Sequence, residues 1–309
     1  MKFFRRVCVL YGGTSDERPI SIKSGKAVYQ ALLSVQIPTI ALDARGSFLK
    51  RIKQYQPDMV FVALHGQGGE DGLIQQKLQR ADIPFVGSDA RSSRNAFDKV
   101  LSKRIFKRHR IPTPAWRQVT LRNLNAALPK ITLPTVIKPT RNGSSIGIEL
   151  IDARDQLAKK IRKSIKQFKT IILEDRIIGR EFTVGILGKQ ALPVIELKPK
   201  RQFYDYKAKY TKGMTRYLVP APISKQAAGR LQILALKTHR ALGLSDFSRV
   251  DMMVDRQGRP YVLEANSIPG FTEFSLLPKA AQLAGISFSE LCQTLLKLAA
   301  QRYKNSKKI

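Results

Sequence analysis

The chain is short of acid. Among its 309 residues, 23 Asp and Glu stand against 55 Lys and Arg, a formal net charge of +32. Carboxylates that gather at one place in such a chain therefore carry information. Cysteine is scarcer still: only Cys8 and Cys292 occur, each inside an apolar pattern. Two such thiols exclude a disulfide scaffold and a cysteine-rich zinc site, so buried free thiols in a reducing cytoplasm are expected. No apolar run is long enough to span a membrane. The opening MKFFRRVCVLYGG is basic, but its apolar stretch is short and stops at glycines, so it reads as a first strand and not as a signal peptide. The Walker A order Gly-Lys-Ser/Thr and the GxGxxG fingerprint are both missing, which leaves the common P-loop and dinucleotide sites unsupported. Zinc-finger, RNA-recognition and helix-turn-helix signatures are absent too. Basic residues concentrate at Lys103–Arg110, Lys159–Lys169, Lys198–Arg201 and Arg302–Lys308. They predict salt-sensitive adhesion to polyanions, without a specific nucleic-acid partner. In KKIRKSIKQFK, Ile161, Ile165 and Phe168 fall at helical spacing, so this run reads as an amphipathic helix with a solvated basic face.

What is present is a chain with 43% hydrophobic residues, ample for two or three domains. Up to about residue 95, strands and helices alternate. Strands are expected at Arg6–Tyr11, Thr39–Asp43, Met59–Leu64 and Pro84–Gly87, and helices at Ser21–Leu33, Leu49–Tyr55 and Leu73–Ala81. This is the pattern of an α/β unit with a parallel sheet. Two glycine-rich loops, GGTSDERPIS and HGQGGEDG, follow strands directly, where open α/β sheets bind ligands, and both carry carboxylates. A helix over Ser92–His109 leads to the break IPTP. Strands at Pro134–Lys138, Ile146–Ile151, Ile171–Glu174 and Glu181–Leu187 follow, then a tyrosine-rich loop, a helix Lys225–Leu242, a hairpin and two C-terminal helices.

The hairpin, RVDMMVDRQGRPYVLEAN, can be read geometrically. With Gln257 and Gly258 as its turn, Asp251 lies opposite Glu264 and Arg249 opposite Asn266. Alternation puts these four groups on one face and Val250, Met252, Leu263 and Ala265 on the other. Two carboxylates and an amide oxygen suit a hard cation such as Mg²⁺. A solvated face with a cross-strand ion pair fits the same pattern, and a one-residue slip would send all four groups to the other side.

Single motifs say less. KPTRNGSSIG (Lys138–Gly147) puts a lysine at a strand end before small residues, as a phosphate loop can. Phe203–Tyr217 mixes tyrosines with lysines and suits either a closing lid or a packed surface loop. His65, at a strand end before glycines, is a candidate ligand; His109 and His239 read as structural.

Taken in order, GGTSDERPISIKSG, ALHGQGGEDG, VIKPTRNGSSIG, EDRIIGREFTV, FYDYKAKY, RVDMMVD and LEANSIPGFTEFSLLP resemble the D-alanine–D-alanine ligase family from about Arg6 to Arg302. The resemblance implies the ATP-grasp fold, an α/β architecture. Its parts would be a Rossmann-like N-terminal parallel domain (residues 1–95), a central lid domain (96–187) and a C-terminal α+β catalytic domain (188–309). ATP would lie between the last two. The implied reaction phosphorylates the carboxylate of one D-alanine, and the amine of a second attacks the acyl phosphate, supplying peptidoglycan synthesis. By that resemblance Lys99 and Lys138 contact phosphates, with Lys209 on a closing loop. Glu174 stands at the adenine side, Glu181 at the ribose, and the backbone of Asp175 and Ile177 at the adenine edge. Asp251, Glu264 and Asn266 match ligands of Mg²⁺ or Mn²⁺, two ions in all. Glu17 receives the first ammonium, with Ser144 and Tyr210 as its partners, and His65 orients substrate. Arg249 and the N–H of Gly270 form an oxyanion site, and Ser275 with the N–H of Leu276 holds the second carboxylate. A cytoplasmic homodimer without membrane or nucleic-acid partner is implied as well. Pro19 and Asn142 replace glutamates common in the family, and Phe274 a common histidine. Alternatives are a ligase joining D-alanine to D-lactate or D-serine, and a nucleic-acid binder on a retired scaffold.

Overall fold

The structure, a computed structural model, describes residues 4–306 apart from 202, 206, 207, 210 and 212. Its strands are β1 (Val7–Tyr11), β2 (Thr39–Asp43), β3 (Met59–Val62), β4 (Phe85–Val86), β5 (Trp116–Val119), β6 (Thr135–Pro139), β7 (Glu149–Ile151), β8 (Ile171–Asp175), β9 (Gly179–Leu187), β10 (Gln190–Ala191), β11 (Ile195–Pro199), β12 (Thr215–Leu218), β13 (Phe247–Asp255) and β14 (Pro260–Asn266). They form three sheets.

The first sheet, ordered β2-β1-β3-β4, is parallel throughout. Its strands β1 and β3 are apolar along nearly their whole length, as burial on both faces requires. The order reverses around β1, so the loops after β1 and β3 open on the same crevice. The helix expected from Ser21 begins at Arg18, because Pro19 fits a first turn where no amide donor is needed. Ser21 Oγ accepts from Gly12 N–H (2.8 Å) and donates to Ala63 O (2.7 Å), which stitches the two loops together.

The second sheet, β5-β8-β6-β7, and the third, β12-β11-β9-β13-β14 with β10 beside β9, are antiparallel. Strand β7 starts at Glu149 rather than Ile146, since Ser144, Ser145 and Gly147 all hold left-handed backbone angles (φ 50°, 58° and 77°). The single helix expected over Ser92–His109 is two helices, Ala90–Phe97 and Lys99–Arg108. Asp98 divides them: its extended backbone ends the first, and its carboxylate accepts from Val100 N–H and Leu101 N–H to start the second. The break aims Lys99 at the loop after β6, where Nζ donates to Asn142 O at 2.8 Å.

Three hydrophobic cores result. One lies under the central sheet, among Val119, Ile137, Ile161 and Leu173. Another joins the helix Lys225–Leu242 to Phe182, Val184, Val250 and Met252. The largest unites the first sheet with the last two helices, Leu276–Leu283 and Phe288–Ser306. Both thiols are free and buried there, and burial pushes Cys8 up to about 12. Among the described residues, no helix is long and apolar enough to cross a membrane.

Arg302 closes this last core. Its Nη2 donates to Phe85 O (2.8 Å), Gly87 O (3.0 Å) and Asp246 Oδ2 (2.9 Å), and buried Asp246 in turn accepts from Gly87 N–H at 2.7 Å. Replacing Arg302 with Leu strands a buried carboxylate and two carbonyls. We expect a loss of about 2 kcal/mol in unfolding free energy, discounted for the partial exposure of the arginine. Urea denaturation of Arg302→Leu beside Arg302→Lys tests this; equal midpoints for both and the parent would refute the clamp.

Candidate active site

The hairpin pairs Arg249 with Asn266 and Asp251 with Glu264, as its sequence predicts, but not by the route expected. The turn is one residue longer: Gly258 N–H donates to Asp255 O, Asp255 N–H to Arg259 O, and Gly258 takes φ 76°. Leu263 then bulges out of the ladder between Met252–Val262 and Asp251–Glu264. The two irregularities cancel at the open end. They also exchange the core residue: Val262 is fully buried, while Leu263, expected there, is not.

Asp251 is the knot of this face. Its carboxylate accepts from Arg249 Nε and Nη2 (2.9 and 2.8 Å), Thr183 Oγ1 on β9 (2.6 Å) and Asn266 Nδ2 on β14 (3.0 Å). The ion pair is thus formed within one strand, not across the hairpin. Burial weighs against the Arg249 charge, but the bidentate Asp251 more than offsets it and holds the guanidinium above its ordinary value. Asn266 spends its amide nitrogen on Asp251, so its carbonyl is the end available to a cation.

Beside the hairpin lies a cluster of buried lysines. Lys138 on β6 donates to Glu174 Oε2 at 2.6 Å, and Lys103 meets Glu174 Oε1 at 3.0 Å. Lys99 stands 3.8 Å from Glu264. Burial alone would lift Glu264, but Lys99, Lys209, Lys138 and Arg249 hold it down at about 2. Burial also lowers Lys99 and, to about 8, Lys103. Lys103 is wholly inaccessible and bonds Thr113 Oγ1, which donates to Val262 O at 2.7 Å. Sequence reading passed Lys103 over as part of a basic run. Its signal was a lysine on the same helical stripe as Val100 and Phe106, where an apolar residue belongs. Asp175 donates its N–H to Ala115 O (2.9 Å), and Ile177 follows β8 in the connection to β9.

On the other side of Arg249 opens a cavity of about 1420 Å³. Glu17, His65, Ser144, Lys209, Arg249, Asn266, Gly270, Ser275 and Leu276 all line it. Ser144, from the second sheet's loop, donates to Glu17 Oε1, from the first sheet's loop. The carboxylate is tightly held: a Cβ on Gly66 would come within 2.6 Å of Glu17 Oε2, and one on Gly143 would collide with it. Burial, then Glu70, pushes Glu17 above its ordinary value. His65 Nδ1 donates to Ile268 O (3.1 Å), so Nε2 is the acceptor for Ser24 Oγ at 2.9 Å. Ser275 Oγ is fixed by Thr272, accepting from its N–H at 3.0 Å, a support that sequence reading missed. Tyr210 lies outside the described residues.

The profiles described as "D-ala D-ala ligase N-terminus" and "D-ala D-ala ligase C-terminus" match residues 49–88 and 105–297. A D-alanine–D-alanine ligase of Methylacidiphilum infernorum is 43% identical over 300 residues, 97% of each chain. The chain belongs to the D-alanine–D-alanine ligase family. Among solved structures, the Bacillus anthracis D-alanine–D-alanine ligase complexed with ATP superposes with a TM-score of 0.87 at 30% identity, covering 98% of this chain and 99% of that one. The VanG D-Ala:D-Ser ligase of Enterococcus faecalis gives 0.84 at 29% identity, covering 96% and 99%. The mixed α/β architecture is that of the ATP-grasp ligases, as the resemblance implies.

The oxygen donors of this face can be set against the needs of a divalent ion. Among the described residues, no group of three or more His, Cys, Asp or Glu could hold a metal by itself. Asp251, Glu264 and the Asn266 carbonyl are all hard oxygens, and they fit an ion that keeps water or phosphate oxygens as well, the habit of Mg²⁺.

Glu181 is the uneasy acid of the site. Burial first, then Asp251, raises it from 4.5 to about 7. A raised carboxyl favours the fold while protonated, so its contribution is complete below about 4.5 and is lost as pH rises through about 7. Glu181→Gln removes that loss. The metal-free variant should melt above the parent at pH 8, with the gap closing towards pH 5. A gap that ignores pH in thermal unfolding would show that Glu181 is not the titrating group.

Proposed function

We propose that this chain joins two D-alanine molecules into D-alanyl-D-alanine at the expense of ATP. The observation that carries the reading is the meeting of Glu17 and Ser144 from separate sheets at a cavity that Arg249, Gly270 and Ser275 complete. Glu17 receives the ammonium of the first D-alanine, a charge that offsets the repulsion from Glu70. His65, its tautomer set by Ile268, orients that substrate from the cavity wall. Arg249 and the Gly270 N–H stabilise the oxyanion as the second amine attacks; such donors act where charge develops and typically supply 10²–10³ each. Ser275 and the N–H of Leu276, the first helical residue, take the second carboxylate.

The lysine cluster supports the nucleotide side. Among the described residues Lys99, Lys103 and Lys138 pair only with Glu174 and Glu264, and Glu181, the other acid felt by Lys138, is pushed up to about 7, so positive charge is left over. A triphosphate supplies the missing anion. Lys209 joins it from the loop that also carries Tyr210. Glu174 would accept from adenine, with the Asp175 and Ile177 backbone along its edge, and Glu181 would take the ribose. Asp251, Glu264 and Asn266 would hold Mg²⁺ or Mn²⁺, two ions in the proposed enzyme, which neutralise phosphate charge when bound. A homodimer is the proposed assembly.

Purified protein given ATP, Mg²⁺ and D-alanine should yield the dipeptide and ADP, identified by mass. Arms with D-lactate or D-serine added should leave that product dominant; depsipeptide or D-alanyl-D-serine in excess overturns the choice of second substrate. Glu264→Gln keeps shape and removes one ligand charge. It should lose at least about 10²-fold in turnover, and wild-type phosphate release at ordinary Mg²⁺ would exclude Glu264 from the metal site.

A further inference from the structure

The cavity contains a cation for which the proposed reaction has no task. Lys279 lies on the helix Leu276–Leu283, four residues after Ser275, so both stand on one helix face a turn apart. Both line the cavity. Lys279 N–H donates to Ser275 O at 3.0 Å, which fixes that turn. Its Nζ sits 4.8 Å from the centre of the Tyr217 ring, and the Tyr217 hydroxyl is tied to Tyr204 Oη at 2.9 Å. The ring therefore holds the ammonium against the cavity wall.

No carboxylate among the described residues forms an ion pair with Lys279. Burial alone depresses it, with no acid restoring it. Of the other acids that line the cavity, Glu17 accepts from Ser144, and neither it nor Glu70 forms an ion pair with Lys279. A partly buried ammonium without a counter-ion is short of one negative charge. The exposed Glu273 also lines the cavity, on the loop before the helix, without closing on Lys279.

We propose that Lys279 is a specificity-determining residue for the second substrate, giving the carboxylate of the incoming amino acid a positive pole beside Ser275. This rests on the reading that Ser275 receives that carboxylate. A hydroxyl and one helix-start N–H bind a carboxylate as dipoles; an ammonium one turn behind adds the charge that separates an amino acid from an uncharged amine. The first D-alanine, held at Glu17, does not need it.

Lys279→Met keeps length and removes charge. The KM for the second D-alanine should rise about tenfold, the scale of one partly desolvated charge-assisted contact. The KM values for ATP and for the first D-alanine, and kcat at saturation, should stay within about twofold of wild type. Lys279→Arg should recover most of the affinity. Lys279→Gln, equally neutral and more soluble, should repeat the Met result should that variant aggregate. An unchanged second KM overturns the proposal. So does a parallel fall in every parameter with a lower melting temperature, the mark of a role confined to packing on Tyr217. Failure of the underlying ligase reading is distinct: the wild-type protein would then form no dipeptide at all.

Discussion

One carboxylate holds the active face together. Asp251 gathers donors from three adjacent strands: Thr183 from β9, Arg249 from its own strand and Asn266 from β14. Hydrogen bonds to an ionised acceptor are stronger than neutral ones, and here they come from all three strands at once. Arg249 is thereby aimed at the cavity, the Asn266 carbonyl is turned outward, and Glu264 is left facing Lys99. A neutral residue at Asp251 would free each of these groups separately. The arrangement needs Asp251 opposite Glu264, and the whole hairpin, with its three-residue turn and its bulge, serves that register.

The nucleotide side follows the opposite logic. The charge of Asp251 is matched by Arg249, whereas that of the lysines around Glu174 is not matched by acids. Lys103, Lys138 and Glu174 are packed out of solvent with more positive than negative charge among them and their neighbours. Functional sites commonly retain such imbalance at the expense of stability. Lys103 adds a mechanical link: through Thr113 and Val262 it ties the helix Lys99–Arg108 and the sheet carrying Glu174 to the strand carrying Glu264 and Asn266.

Much of this was legible in the chain, for identifiable reasons. Parallel strands buried on both faces are continuous apolar runs, so β1 and β3 could be read directly. The helix Lys225–Leu242 has a serine cap before it and Gly243 in a left-handed conformation after it, and its limits were found to the residue. The facing pairs of the hairpin were right because two departures from ideal pairing cancel, and Leu263 was misplaced because periodicity cannot show a bulge. Asp98 was hidden by the helical spacing on either side of it; an aspartate before KVL was the available cue. Lys103 was hidden by composition, since in so basic a chain one more lysine is unremarked. Contacts between distant segments, such as Ser144 to Glu17 or His65 to Ile268, have no local signature; the resemblance to a family brought the first pair together beforehand, and nothing in the sequence announced the second.

The largest core has a consequence for the order of events during synthesis. The first sheet shares its core with Leu276, Leu291, Leu295 and Ala299, and Arg302 seals it. The central sheet draws its core from Val119 to Leu173 alone. On a ribosome the middle of this chain can therefore mature while its beginning waits, its apolar surface uncovered, for the last helix to emerge. Domains usually fold in the order they are made. Here the core of the first sheet closes last, and its apolar strands are the surface that stays uncovered longest.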